Sequence, residues 1–169
     1  MAFAWIGFTA LALSQCGMPG ETLGIYTVSG IMQTNTCGAG LEAPSPWKFN
    51  VELSQETGTL FWNAMDGSPL LTGTVAGSAV TMDDTTSGAV DSTADGGPGP
   101  CVMSRSDVLA LTLAAGSPPG AFDGTLTYTF AAVAGASCSD QLSAQGGIYD
   151  TLPCTVSYKL DGSYAGRGQ

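Results

Sequence analysis

Five cysteines, an arginine and an aspartate two positions apart, and several scattered aspartates are the residues whose types could do chemistry in this chain. Histidine is absent, so the commonest general base and metal ligand is missing, and with it the usual Ser/His/Asp and zinc hydrolase arrangements. No GxSxG elbow, P-loop or GxGxxG stretch occurs, which leaves serine esterases, nucleotide binding and dinucleotide chemistry without a motif. Zinc would need clustered cysteines, but Cys37, Cys101, Cys138 and Cys154 contain no CxxC spacing. Asp83, Asp84, Asp91 and Asp95 could ligate calcium, yet their spacing departs from the EF-hand loop. Those aspartates, like Asp140 and Asp150, could also supply a glycosidase acid and base, but solvated loop carboxylates explain them as well. No catalytic residue, metal or cofactor is expected.

Arg105 and Asp107 are more informative. Strand parity points them the same way as Met103, Leu109 and Leu111, where pairing with each other lowers the cost of partial burial. They form either a structural ion pair at a rim or a pair that orients a ligand at a cavity mouth. Trp62, Tyr128, Phe130, Phe49 and Tyr158 share the same inward face and either fill a core or line that cavity. Trp47 and Phe61 are expected outside that face.

The elements that must position these residues are strands. Trp47 to Gln55 alternates cleanly, with Phe49, Val51 and Leu53 on one face. It pairs with Thr59 to Met65 through Glu56-Thr57-Gly58, placing Leu53 opposite Leu60 and Val51 opposite Trp62. Leu70 to Ala76 and Ala79 to Met82 form a second hairpin around Gly77-Ser78, which has the glycine that a type II′ turn requires. Gly24 to Met32 is a first strand, Thr34 to Pro46 a loop, and Asp83 to Pro100 an exposed acidic loop. A long hairpin turning at Pro118 and Pro119 sets Leu109 against Phe130, Leu111 against Tyr128 and Cys101 against Cys138. A short helical turn over Ser139 to Ala144 precedes the last strand, Cys154 to Leu160. About eight strands in an antiparallel up-and-down meander, with no amphipathic helix, must close or stack to protect their edges. An all-β closed barrel is expected over 24–162, with a two-sheet β-sandwich as the alternative and a frayed tail over 163–169.

The hairpin register pairs Cys101 with Cys138, which leaves Cys37 for Cys154. The alternative joins Cys138 to Cys154 in a short local loop. Two bridges require an oxidising compartment. The N-terminus points the same way, because the apolar run from Ala2 to Leu13, about a dozen residues, suits a signal h-region better than a membrane span. A formal charge of -10, with only Lys48, Arg105, Lys159 and Arg167 as cations, argues against nucleic acid and against electrostatic binding to an anionic membrane. Hydrophobic content of 44% with strand-like alternation argues against disorder.

Leu13-Ser14-Gln15-Cys16 resembles the lipobox of bacterial lipoproteins. The resemblance implies removal of a signal peptide over 1–15, lipidation of Cys16 and a tether over 16–23. Ordinary signal cleavage and a retained N-terminal helix are the alternatives. Trp47 to Met82, with short strands, glycine at the turns and LxGxVxGxxV phrasing, resembles the lipocalin-like or calycin-like small barrels found among such lipoproteins. Together these imply a membrane-anchored, extracytoplasmic module at the outer membrane or cell surface. It would be non-enzymatic, binding a partner or carrying a small apolar ligand within the barrel. A structural envelope protein with a solid core is the rival reading, a hydrolase of unknown type the third, and a secreted or periplasmic location the alternative.

Overall fold

Period-two alternation of apolar residues carries eight strands, and pairing joins them in chain order. In the computed structural model, which describes residues 17–90 and 101–167, these are β1 (Glu21–Asn35), β2 (Trp47–Glu56), β3 (Thr59–Asn63) and β4 (Leu71–Ala76), then β5 (Ala79–Val90), β6 (Cys101–Leu113), β7 (Ala121–Ala132) and β8 (Cys154–Gly166). Every neighbouring pair is antiparallel, and β1 pairs with β8, so the sheet closes as a barrel and does not stack as a sandwich. The signal segment, Cys16, Asp91 and Asp95 lie outside the described residues.

Closure leaves two unlike ends. At one, tight connections join β2 to β3, β4 to β5 and β6 to β7, and the chain enters β1 and leaves β8. At the other lie the long β1–β2 and β7–β8 connections, the second containing 3-10 turns at Ser139–Gln141 and Ser143–Gln145. Both disulfides, Cys37–Cys154 and Cys101–Cys138, sit at this loop end. They suit an oxidising, extracytoplasmic environment.

Several expectations need correction. Leu109 pairs with Leu126 and Leu111 with Gly124, a slip of four residues from the expected hairpin register. The β6–β7 hairpin turns about Ser117 and Pro118, with the Ala114 amide donating to the Ala121 carbonyl at 2.9 Å. An even slip keeps every side chain on its expected face. Cys138 therefore reaches Cys101 from the loop beyond β7, through a turn closed by Ala136 N–H to the Val133 carbonyl at 2.9 Å. Leu53 likewise pairs with Trp62 and not with Leu60, because the connection is the two-residue Thr57-Gly58. Their φ values of 48° and 82° provide the left-handed pair that a type I′ turn needs.

Strand β5 continues through Val90, so 83–90 is not loop: Asp84 stands opposite Asp107 and Thr86 opposite Arg105. Pairing with the full length of β6 satisfies the β5 backbone whatever its side chains prefer. Strand β1 begins at Glu21 and β8 runs to Gly166, so 21–23 is not tether and 163–166 is not frayed: Glu21 and Thr22 pair with Gln55 and Ser54 of β2, and Ser163, Tyr164 and Gly166 pair with Thr27, Tyr26 and Ile25 across the closing seam.

The half of the barrel nearer the tight turns is solid. Tyr26, Leu53, Leu60, Met82, Leu109 and Leu160 are completely buried there. Gly162 makes room for the Phe122 ring, since a Cβ at that position would lie 2.2 Å from it. The Tyr26 hydroxyl donates to the Pro119 carbonyl oxygen at 2.7 Å, tying the core to the β6–β7 turn. Burial, helped by Tyr164, pushes its pKa from an ordinary 10.0 up to about 12. A phenol raised in the folded state stabilises fully below the unfolded value, and that contribution is lost as pH rises through the folded one. Stability should therefore fall between pH 10 and 12, as followed by alkaline unfolding curves alongside tyrosinate absorbance. Tyr26→Phe should remove that part of the decline; an unchanged profile would reject the assignment.

Candidate functional site

Aromatic contacts run the length of the interior. Tyr26 meets Phe122 with centroids 5.5 Å apart, Phe122 meets Trp62 at 5.6 Å, and Trp62 meets Phe49 at 6.2 Å. Phe49 stacks on Trp47 at 4.2 Å, and Trp47 tilts against Tyr158 at 5.3 Å. Past Phe49 the interior opens towards the loop end into a pocket of about 310 Å³. Its walls are Trp47, Tyr128, Phe130, Val156 and Tyr158, with Arg105 among them. Leu41, Glu42, Ala43 and Pro44 from the β1–β2 loop and Asp66 and Ser68 from the β3–β4 loop complete it.

Of the six residues expected at a cavity, Arg105, Tyr128, Phe130 and Tyr158 line this pocket. Trp62 does not: it is 3% exposed and packed edge-on against Phe49 and Phe122, below the opening. Asp107 lies behind the wall as the partner of Arg105. Trp47, expected outside the apolar face, belongs to it, since it has the same parity as Phe49, Val51 and Leu53 on β2. That signal was present in the sequence. The contributions of Glu42, Asp66 and Ser68 had none, because loop residues have no periodicity.

The Arg105–Asp107 pair is bidentate, with Nε to Oδ1 at 2.7 Å and Nη2 to Oδ2 at 2.6 Å. The guanidinium also lies 4.4 Å from the Tyr128 ring centroid. Hydrogen bonding to Asp107 holds the Arg105 pKa above its ordinary value, so the cation persists. Burial raises the Tyr128 and Tyr158 phenols, the nearby guanidinium opposing this at Tyr128, and both hydroxyls stay protonated at neutral pH. Among the described residues neither hydroxyl has a side-chain or backbone hydrogen-bond partner, and neither oxygen is sealed from solvent. They are free polar groups on an apolar wall.

The two disulfides frame this end. Cys37 fixes the β1–β2 loop to the start of β8, and Cys138 fixes the β7–β8 connection to the start of β6. Asp150 N–H donates to the Cys37 carbonyl at 2.7 Å, which ties the two long connections together, and Tyr149 packs on Phe130 of β7 at 5.6 Å. A larger hollow of about 580 Å³ at the tight-turn end, bounded by Leu23, Gln55, Val75 and 113–117, has no aromatic or charged side chain on its walls among the described residues. It lacks the converging polar groups that fix a ligand's orientation.

Among the described residues no group of His, Cys, Asp or Glu has an arrangement able to hold a metal ion. Comparison with protein-family models, with curated proteins and with solved structures found no match to this chain.

Proposed function

We propose that this protein is a non-enzymatic, extracytoplasmic binding module, anchored through lipid on Cys16, that takes a small ligand with an apolar body at the loop end of its barrel. The observation that carries this reading is the aromatic pocket of about 310 Å³ with two tyrosine hydroxyls unpartnered among the described residues, framed by both disulfides. Cross-linked walls lose little freedom on binding, which favours affinity. The occupant sits at the mouth and not deep in the barrel, because side chains fill the lower interior.

The position of the N-terminus supports the anchor. Ser54 Oγ donates to the Pro19 carbonyl at 2.6 Å, so the chain is held from Pro19 onward, at the tight-turn end. Only Gly17 and Met18 separate a lipidated Cys16 from that point, a reach of about 10 Å at full extension. The barrel would stand close to the membrane with its pocket facing away.

Native mass spectrometry of protein purified from its producing cells tests the binding reading: a small-molecule adduct, lost in Trp47→Ala, is the expected result. No adduct, together with no binding of apolar aromatic probes, would reject it. It would leave the structural envelope reading, which the solid lower core favours. Intact-mass analysis of the membrane fraction tests the anchor, and a mature protein beginning anywhere but a lipid-modified Cys16 would refute it.

A further inference from the structure

We infer that the pocket selects an organic cation, an ammonium group carried on an apolar body; this rests on the pocket being a ligand site and adds the chemical class of its occupant. Charge is the first argument. Arg105 is the cation on the pocket wall, and its guanidinium is committed to Asp107 through two hydrogen bonds. Glu42 and Asp66 also line the opening, and the ion pairs found among the described residues are Arg105–Asp107 and Lys159–Asp161, so neither carboxylate forms a salt bridge there, although Asp66 is close enough to favour the Arg105 cation. Three carboxylates thus face one guanidinium in and behind the pocket, within a chain of formal charge -10. An anion would meet net repulsion and find a guanidinium whose charge Asp107 already balances through Nε and Nη2.

The walls supply the second argument. Tyr158 is 3% exposed, yet its hydroxyl has no partner among the described residues and is not sealed from the pocket. Its oxygen is placed to accept an N–H from a bound ammonium. Trp47 and Tyr128 line the pocket, and the Arg105 guanidinium over the Tyr128 ring at 4.4 Å is an instance of a cation held by this aromatic wall. A purely apolar ligand would desolvate the hydroxyl and the carboxylates without replacing their hydrogen bonds.

The test compares three probes of similar size on the full chain: phenethylammonium, 2-phenylethanol and phenylacetate. Affinities come from calorimetry, and the location from perturbation of the Trp47 indole signal. The ammonium is expected to bind about tenfold more tightly than the alcohol, and phenylacetate most weakly, with the preference shrinking as salt is raised. In the double variant Glu42→Gln/Asp66→Asn, checked for an unchanged melting curve because both positions are exposed, the preference should fall to within about twofold. If the alcohol or phenylacetate binds at Trp47 as tightly as the ammonium, cation selection is overturned while the pocket reading stands. If none of the three perturbs Trp47, both fall.

Discussion

Replacing Cys37 and Cys154 together by alanine is expected to lower the unfolding free energy by about 4 kcal/mol, and the melting temperature by roughly 10 °C. The bridge has a sequence separation of 117 and closes a loop that contains β2 to β7, from the loop after β1 to the first residue of β8. Without it the unfolded chain regains the entropy of a very long loop, while the folded state loses the link beside its closing seam. Cys101–Cys138 encloses a shorter loop, with a separation of 37, so its removal should cost about 1 kcal/mol less under the same loop-entropy relation. Urea unfolding curves of the two double variants, compared with the parent, check both the size and the order. A reversed order, or a loss below about 1 kcal/mol for Cys37→Ala/Cys154→Ala, would show that strand pairing alone holds the seam.

Trp62→Ala is expected to be comparably severe, at about 3–5 kcal/mol. Its indole is nearly inaccessible and fills the space between Phe49 and Phe122. Because β3 is fixed on both sides, by Leu53 on β2 and Leu71 on β4, the surroundings cannot collapse around the missing ring. The next residue supplies the control. Phe61 is half-buried and alternates to the opposite face, so Phe61→Ala should cost about 1 kcal/mol or less. Guanidinium unfolding of the two variants separates two pictures of the interior. A cheap Trp62→Ala would mean that the opening extends down past Phe49, restoring a ligand buried deep in the barrel. A costly one places the floor of the pocket at Trp62.

Much of this architecture was legible before folding because a strand obliges alternate residues to face alternate ways. Leu109, Leu111, Tyr128, Phe130, Val156 and Tyr158 all point inward as their parity requires. A run of short antiparallel connections, with no helix to cover an edge, pointed to closure. Both cysteine pairs were legible as well, although Cys101–Cys138 forms through the loop beyond β7 and not through the hairpin register.

Parity fixes a face but not an offset, and any even slip satisfies it equally. Only the assembled sheet placed Leu109 against Leu126, because the turn about Ser117 and Pro118 and the pairing with β8 together select one register. Only the neighbour β6 made a strand of Asp83–Val90, whose composition favours turns. The pocket was the least legible feature of all. It exists because the barrel is solid up to Trp62 and Phe49 and open above them, with Glu42, Asp66 and Ser68 brought over Arg105 by two loops that are distant in sequence. Alternation along each strand sets which side chains face inward, and the cysteine positions limit which bridges can form. How far along the axis each side chain sits, and therefore where packing ends and a site begins, follows from the register of the closed sheet.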